Sequence, residues 1–189
     1  MYNTKAFKGE YNGIPYDSEL EATWYRLLDK LGINYTVPKT SQGFRGLIPD
    51  LLIGEKIIAE IKPLDFRKPK EYDYWIQNLI NKFNRYREIP EQAKKTQLIL
   101  GNGLNIFDHA FLDYTFIGYL RYPNSDIFNA AFVSVSGEFL TLPGEITEEV
   151  SSSIVDVKTL LRLWHQSEFE AKSNRRLKEA FAHFLQDSA

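Results

Sequence analysis

The sequence predicts an α/β domain whose elements run helix, strand, strand, strand, helix, strand, followed by a closing helical segment. Three observations carry this. From Asp17 to Leu31, the residues Leu20, Trp24, Leu27, Leu28 and Leu31 fall at helical spacing and form one apolar stripe. Two apolar, β-branched runs, Leu47–Ile53 and Ile57–Ile61, are separated by Gly54-Glu55-Lys56, a hairpin pattern. A second helical stretch, Lys68–Arg87, then precedes a short apolar run, Thr96–Leu100.

In chain order, Asp17 or Ser18 can cap the first helix, and Gly32 ends it. Ile33–Val37 is a short strand broken by Pro38. Thr40–Gly46 is a loop of small and polar residues. After Leu100 the pattern is less regular until two more strand candidates, Ala131–Val135 and Glu138–Leu142, joined through Ser136-Gly137. Ser153 or Asp156 opens a C-terminal helical stretch to about Gln186, with the basic residues Lys172, Arg175, Arg176 and Lys178. The expected division is a core over residues 1–145 and a helical extension over 146–189 packed on it.

A chain of 189 residues fits one domain and is long enough to bury a core without disulfides or a structural metal. With 43% hydrophobic and 25% charged residues, the composition is that of a soluble globular protein. The absence of cysteine excludes disulfide frameworks, cysteine-ligated zinc, iron–sulfur clusters and thiol catalysis. The start, MYNTKAFKGEYNG, has no apolar core of a secretory signal, and no apolar run approaches the roughly 20 residues a membrane helix needs. No membrane partner is therefore expected. The histidines His109, His165 and His183 are scattered without zinc-site spacing. No phosphate-binding G-x-x-x-x-G-K-[ST] loop is present, so the chain is not itself an ATPase. A net charge of −2 means that any nucleic-acid surface has to be a local patch.

The hairpin carries charge where a buried strand should be apolar. Glu60 and Lys62 are two residues apart, so they leave the same face of the strand. Charges in such a strand have a partner or a task. Whether Asp50 joins them depends on register. A three-residue turn at Gly54–Lys56 pairs Ile53 with Ile57 and sets Asp50 opposite Glu60. A two-residue turn pairs Asp50 with Ala59 and turns it to the other face. Two convergent carboxylates suit Mg²⁺, a hard cation that takes oxygen ligands and keeps several waters, and the backbone carbonyl of Ile61 can add a ligand. Lys62 would position or deprotonate a water, or stabilise transition-state charge, and a nearby cation would depress its pKa. The plainer alternative is an internal salt bridge of Lys62 with Glu60 or Asp50.

Pro49-Asp50 followed by Glu60-Ile61-Lys62 resembles the signature of the PD-(D/E)XK, or restriction-endonuclease-like, nuclease superfamily. Ser18-Glu19-Leu20-Glu21-Ala22-Thr23-Trp24 is similar to the S-x-x-E-A-x-W helix found before PD in many members, among them phage-encoded nucleases and the endonuclease subunit of heteromeric transposases. The match covers roughly residues 16–63. The resemblance implies an αβββαβ core with a mixed central sheet flanked by helices. It also implies metal-dependent hydrolysis of DNA phosphodiester bonds, as an endonuclease rather than an exonuclease. Asp50, Glu60, Lys62 and Glu21 would be the catalytic residues. Asp50, Glu60, Ile61 and Glu21 would hold Mg²⁺, with Mn²⁺ as a substitute. Glu19 competes with Glu21 for the helical position. Relatives also carry a polar residue on the helix after E-x-K, for which Gln77 comes first here and Lys82 second.

DNA is the expected partner, together with a second nuclease subunit or a protein that supplies target specificity. The setting would be the bacterial cytoplasm or a phage-infected host cell. Lys39, Arg45, Arg67, Lys68 and Lys70 flank the hairpin and can contact phosphates, and Gln77 is a further nucleic-acid-binding candidate. Tyr72, Tyr74 and Trp75 can stack on bases or form a helix core face, and Arg85 and Arg87 can offset that helix's dipole. The competing readings are a catalytically silent, nuclease-fold module that binds DNA or a partner, and an α/β protein with an internal salt bridge.

Overall fold

The structure, a computed structural model, describes residues 7–40, 43–63, 69–105, 115–126, 128–133, 139–142 and 162–173. The chain begins with a hairpin of β1 (Gly9–Tyr11) and β2 (Ile14–Tyr16). Its two-residue turn is Asn12-Gly13, with φ of 51° and 76°. Positive φ at both positions matches the right-handed twist of the flanking strands, and Asn and Gly tolerate it best.

The first helix, α1 (Glu19–Lys30), starts at Ser18. The Ser18 hydroxyl accepts from the Glu21 amide at 3.2 Å, and Glu21 accepts in return from the Ser18 hydroxyl and from the Asp17 amide, both at 2.9 Å. This is a variant of the reciprocal capping box, and it satisfies amides that a helix start leaves without partners. At the other end Gly32 takes φ 67°. Its amide donates to Asp29 O and the Ile33 amide to Leu28 O, which closes the last turn as a Schellman motif.

A seven-stranded sheet follows, ordered β3-β4-β5-β6-β7-β8-β9. Its members are β3 (Tyr35–Thr36), β4 (Leu51–Ile53), β5 (Ile57–Ile61), β6 (Thr96–Asn105), β7 (Thr115–Arg121), β8 (Asn129–Val133) and β9 (Phe139–Leu142). Only β5 and β6 pair in parallel. Parallel neighbours need a long crossover, and here it consists of α2 (Pro69–Arg87) and the short α3 (Pro90–Ala93). The result is a mixed α/β fold. In it α1, β3, β4, β5, α2 and β6 occur in the predicted α-β-β-β-α-β order, with α3 added before β6.

Both faces of the sheet's central part are covered. Leu51, Ala59, Ile61, Leu98 and Leu100 pack with Trp24, Leu27 and Leu28 of α1. Ile58 and Ile99 pack with Leu79, Phe83 and Tyr86 of α2. Two-sided burial explains why β5 reads as a continuous apolar run. It also puts Glu60, two residues from Ile58, on the α2 face. A closing helix, α4 (residues 162–173), lies on α1. Trp164 meets Trp24 edge-on at 5.0 Å between ring centroids, and Glu170 accepts from Lys30 at 2.8 Å.

Several expectations change. The hairpin β1–β2 and the strand β7 were not anticipated, β6 runs five residues past the expected Leu100, and β8 begins two residues early at Asn129. The middle of β7 is Gly118, paired with Leu100. A Cβ there would lie 1.6 Å from Ile99 O, so the approach of β6 admits only glycine. Of the expected C-terminal stretch, 162–173 is helical, and Arg175, Arg176 and Lys178 lie outside the described residues. Among the described residues no helix is long and apolar enough to cross a membrane.

Candidate functional site

The turn at Gly54–Lys56 has three residues, with Ile53 paired to Ile57 and Leu51 to Ala59. Gly54 takes φ 55°, a conformation that suits glycine. One step beyond the last pair, Asp50 stands level with Glu60. Asp50 Oδ2 accepts from the Ile61 amide at 2.7 Å and from Lys62 Nζ at 2.8 Å. Asp50, Glu60 and Lys62 therefore meet, as the longer turn requires.

Glu60 is fully buried. Its Oε1 accepts from the Tyr86 hydroxyl at 3.1 Å and faces Lys82 Nζ at 2.5 Å. Its Oε2 lies 3.1 Å from Lys62 Nζ as an ion pair, but no hydrogen-bond donor is aligned on that oxygen among the described residues. Burial raises the Glu60 pKa, the Asp50 charge adds to the rise, and the two lysines offset it only in part. For Lys62 burial pulls downward, but the Asp50 and Glu60 carboxylates outweigh it and the net direction is up. The sequence-based expectation of a depressed lysine pKa assumed a neighbouring cation. With carboxylates alone around it, Lys62 is held charged.

Glu21, not Glu19, lines the same cleft as Asp50. The cleft holds about 500 Å³, and Tyr16, Tyr25, Pro38, Lys39 and Ile48 also contribute to it. Burial raises the Glu21 pKa; the Asp17 amide and Ser18 hydroxyl lower it in part, and Asp50 adds a smaller rise. Glu21 thus has two tasks, capping α1 and facing Asp50.

The helix after E-x-K corrects one ranking. Gln77 is exposed, whereas Lys82 reaches Glu60 and also donates to Ile48 O at 3.0 Å. Tyr86 was not singled out from the sequence. Its spacing of four from Lys82 places the two on one helix face, which is the signal that points to it. Lys39 lines the cleft. Arg45 is exposed at φ 48° and lies 3.9 Å from Glu88. Arg67 and Lys68 lie outside the described residues, and Lys70, Tyr72, Tyr74 and Trp75 are placed only as backbone positions of α2. Arg87 does more than offset a dipole: it donates to the Tyr122, Pro123 and Ser125 carbonyls and pairs with Asp126, tying α2 to the β7–β8 turn.

Among the described residues no three His, Cys, Asp or Glu side chains close on one point as a preformed metal cage. Mg²⁺ does not need one, because it is commonly held by one or two carboxylates with water completing its sphere. The buried Glu60 Oε2, which faces Lys62 Nζ without an aligned hydrogen bond and has Asp50 beside it, fits such an ion. Comparison of the chain with protein-family models, curated proteins and solved structures gives no match.

Proposed function

We propose that the chain is a metal-dependent nuclease of the PD-(D/E)XK type that hydrolyses DNA phosphodiester bonds, in the manner of phage or mobile-element endonucleases. The observation that carries this reading is the hairpin register, which sets Asp50 level with Glu60 and brings Lys62 within 3.1 Å of both carboxylates. The α-β-β-β-α-β order around a mixed sheet supports a restriction-endonuclease-like core.

Asp50, Glu60 and the Ile61 carbonyl would hold Mg²⁺, with Glu21 reaching it through water. When bound, the ion supplies Lewis acidity toward a phosphoryl oxygen and toward water. Asp50 is oriented in advance by the Ile61 amide, so its carboxylate needs no reordering when substrate arrives. Lys62, held charged by its two carboxylates, is suited to stabilise negative charge on the phosphoryl group rather than to accept a proton. Lys39, which lines the cleft, and the exposed Arg45, in the loop before Pro49-Asp50, are described cations suited to phosphates.

The test is cleavage of supercoiled, linear, branched and single-stranded DNA in Mg²⁺ or Mn²⁺. Asp50→Asn keeps an acceptor for the Ile61 amide, so it should fold normally and lose cleavage. Full activity in that variant, or no cleavage of any substrate by the unaltered chain, would overturn the reading. One observation favours a second reading, a DNA- or partner-binding module without turnover: Lys62 and Lys82 already neutralise both carboxylates without any ion.

A further inference from the structure

We infer that Lys82 is a built-in counter-charge to Glu60, so that the site takes one divalent cation and excludes a second. This rests on the metal-dependent reading above and goes beyond it by assigning the number of ions and the residue that sets it.

Three observations support it. Glu60 offers two oxygens, and they have different neighbours. Oε1 is taken by Lys82 Nζ at 2.5 Å and by the Tyr86 hydroxyl at 3.1 Å, while Oε2 faces Lys62 Nζ at 3.1 Å with no aligned hydrogen bond. A two-ion site needs bridging oxygens between cations about 4 Å apart, and on Oε1 the place of a second cation is already held by an ammonium.

Lys82 is not loosely placed. It also donates to Ile48 O at 3.0 Å, just before Pro49-Asp50, and its side chain is only 24% exposed. Leaving that position would cost both contacts and leave a fully buried carboxylate short of its partner.

The charge balance agrees. Asp50 and Glu60 face Lys62 and Lys82, so the charges of these four side chains cancel before any ion enters, with Glu21 as the further carboxylate facing Asp50. One divalent cation would balance a phosphodiester anion and an attacking hydroxide. A second would leave surplus positive charge in a largely buried site, where like charges repel strongly. Lys82 is thus a positioning residue: it acts through Glu60 and need not touch substrate.

The test is Mn²⁺ titration of the full chain without DNA, by calorimetry and by electron paramagnetic resonance. The unaltered chain should bind one ion. Lys82→Gln keeps a donor but removes the charge. It should admit a second ion or bind the first at least about tenfold more tightly, since a like charge next to the site is gone. Lys82→Arg should keep one ion at unaltered affinity. Two ions in the unaltered chain would overturn the inference while leaving the nuclease reading standing. So would a folded Lys82→Gln protein whose stoichiometry and affinity are unchanged or weaker. No ion bound at millimolar Mn²⁺ would overturn both. If Lys82→Gln fails to fold, the stoichiometry of the unaltered chain decides alone, with one ion supporting the inference and two refuting it.

Discussion

Glu21 shows how one side chain serves structure and site together. Its carboxylate accepts from the Ser18 hydroxyl and the Asp17 amide, and it also faces Asp50 across the cleft. Substitution can separate the tasks. Glutamine serves in a capping box as well as glutamate does, so Glu21→Gln should change stability by less than about 0.5 kcal/mol. Glu21→Ala should cost about 1 kcal/mol, read from urea unfolding. The raised pKa adds a pH dependence with a definite sign. Above the ordinary glutamate value of 4.5, Glu21 still holds a proton that a cation must displace. Mn²⁺ affinity should therefore climb as pH rises through that window, and Glu21→Gln should flatten the climb. An equal slope in both proteins would remove Glu21 from the ion's surroundings. At this scale Glu60 and Lys62 were legible because strand period alone puts them on one face. Lys82 and Tyr86 were not, because their contact with Glu60 joins residues more than twenty positions apart.

The turn between β4 and β5 is the element on which the site depends. It carries no chemistry, but its length sets which face Asp50 occupies. Inserting one alanine between Asp50 and Leu51 would keep the turn and its strand pairs but move Asp50 one step past Glu60 and turn it to the other face. That variant should lose cation binding and cleavage at once, even where circular dichroism reports a retained sheet. Retained Mn²⁺ affinity would mean that Asp50 does not need this register. Turn chemistry also marks what was overlooked. Asn12-Gly13 between Gly9–Tyr11 and Ile14–Tyr16 is a strong hairpin signal. It is masked by how short and polar the flanking strands are. In β7, Gly118 interrupts the apolar pattern, and its reason lies in another strand, the Ile99 carbonyl.

Across the whole molecule, α1 is the keystone. Residues Ala22 through Leu28 are all buried, well beyond the stripe that one packed face requires. The sheet and α4 both pack on it, and Trp164 and Ala171 join the core around Trp24. The ion pair of Glu170 with Lys30 is partly exposed and contributes little by itself. The aromatic contact dominates, so Trp164→Ala should cost about 3 kcal/mol or more, measured as a lower urea midpoint with the slope unchanged. A loss under about 1 kcal/mol would show that α4 is not needed to cover α1. The net charge of −2 belongs to this scale as well: any affinity for DNA would have to come from a local surface or a partner.

The amino-acid sequence by itself determined the α-β-β-β-α-β order, the caps at Ser18 and Gly32, and the shared face of Glu60 and Lys62. Each of these follows from local periodicity or from backbone preferences within a few residues. The tertiary structure decided the rest. It selected the three-residue register for Asp50, chose Glu21 over Glu19 and Lys82 over Gln77, and added strands on both sides of the expected core. These outcomes depend on which distant surfaces meet. Burial of Glu60 against α2, and of α1 against the sheet and α4, sets a cost for unpaired charge and empty space that no local pattern contains.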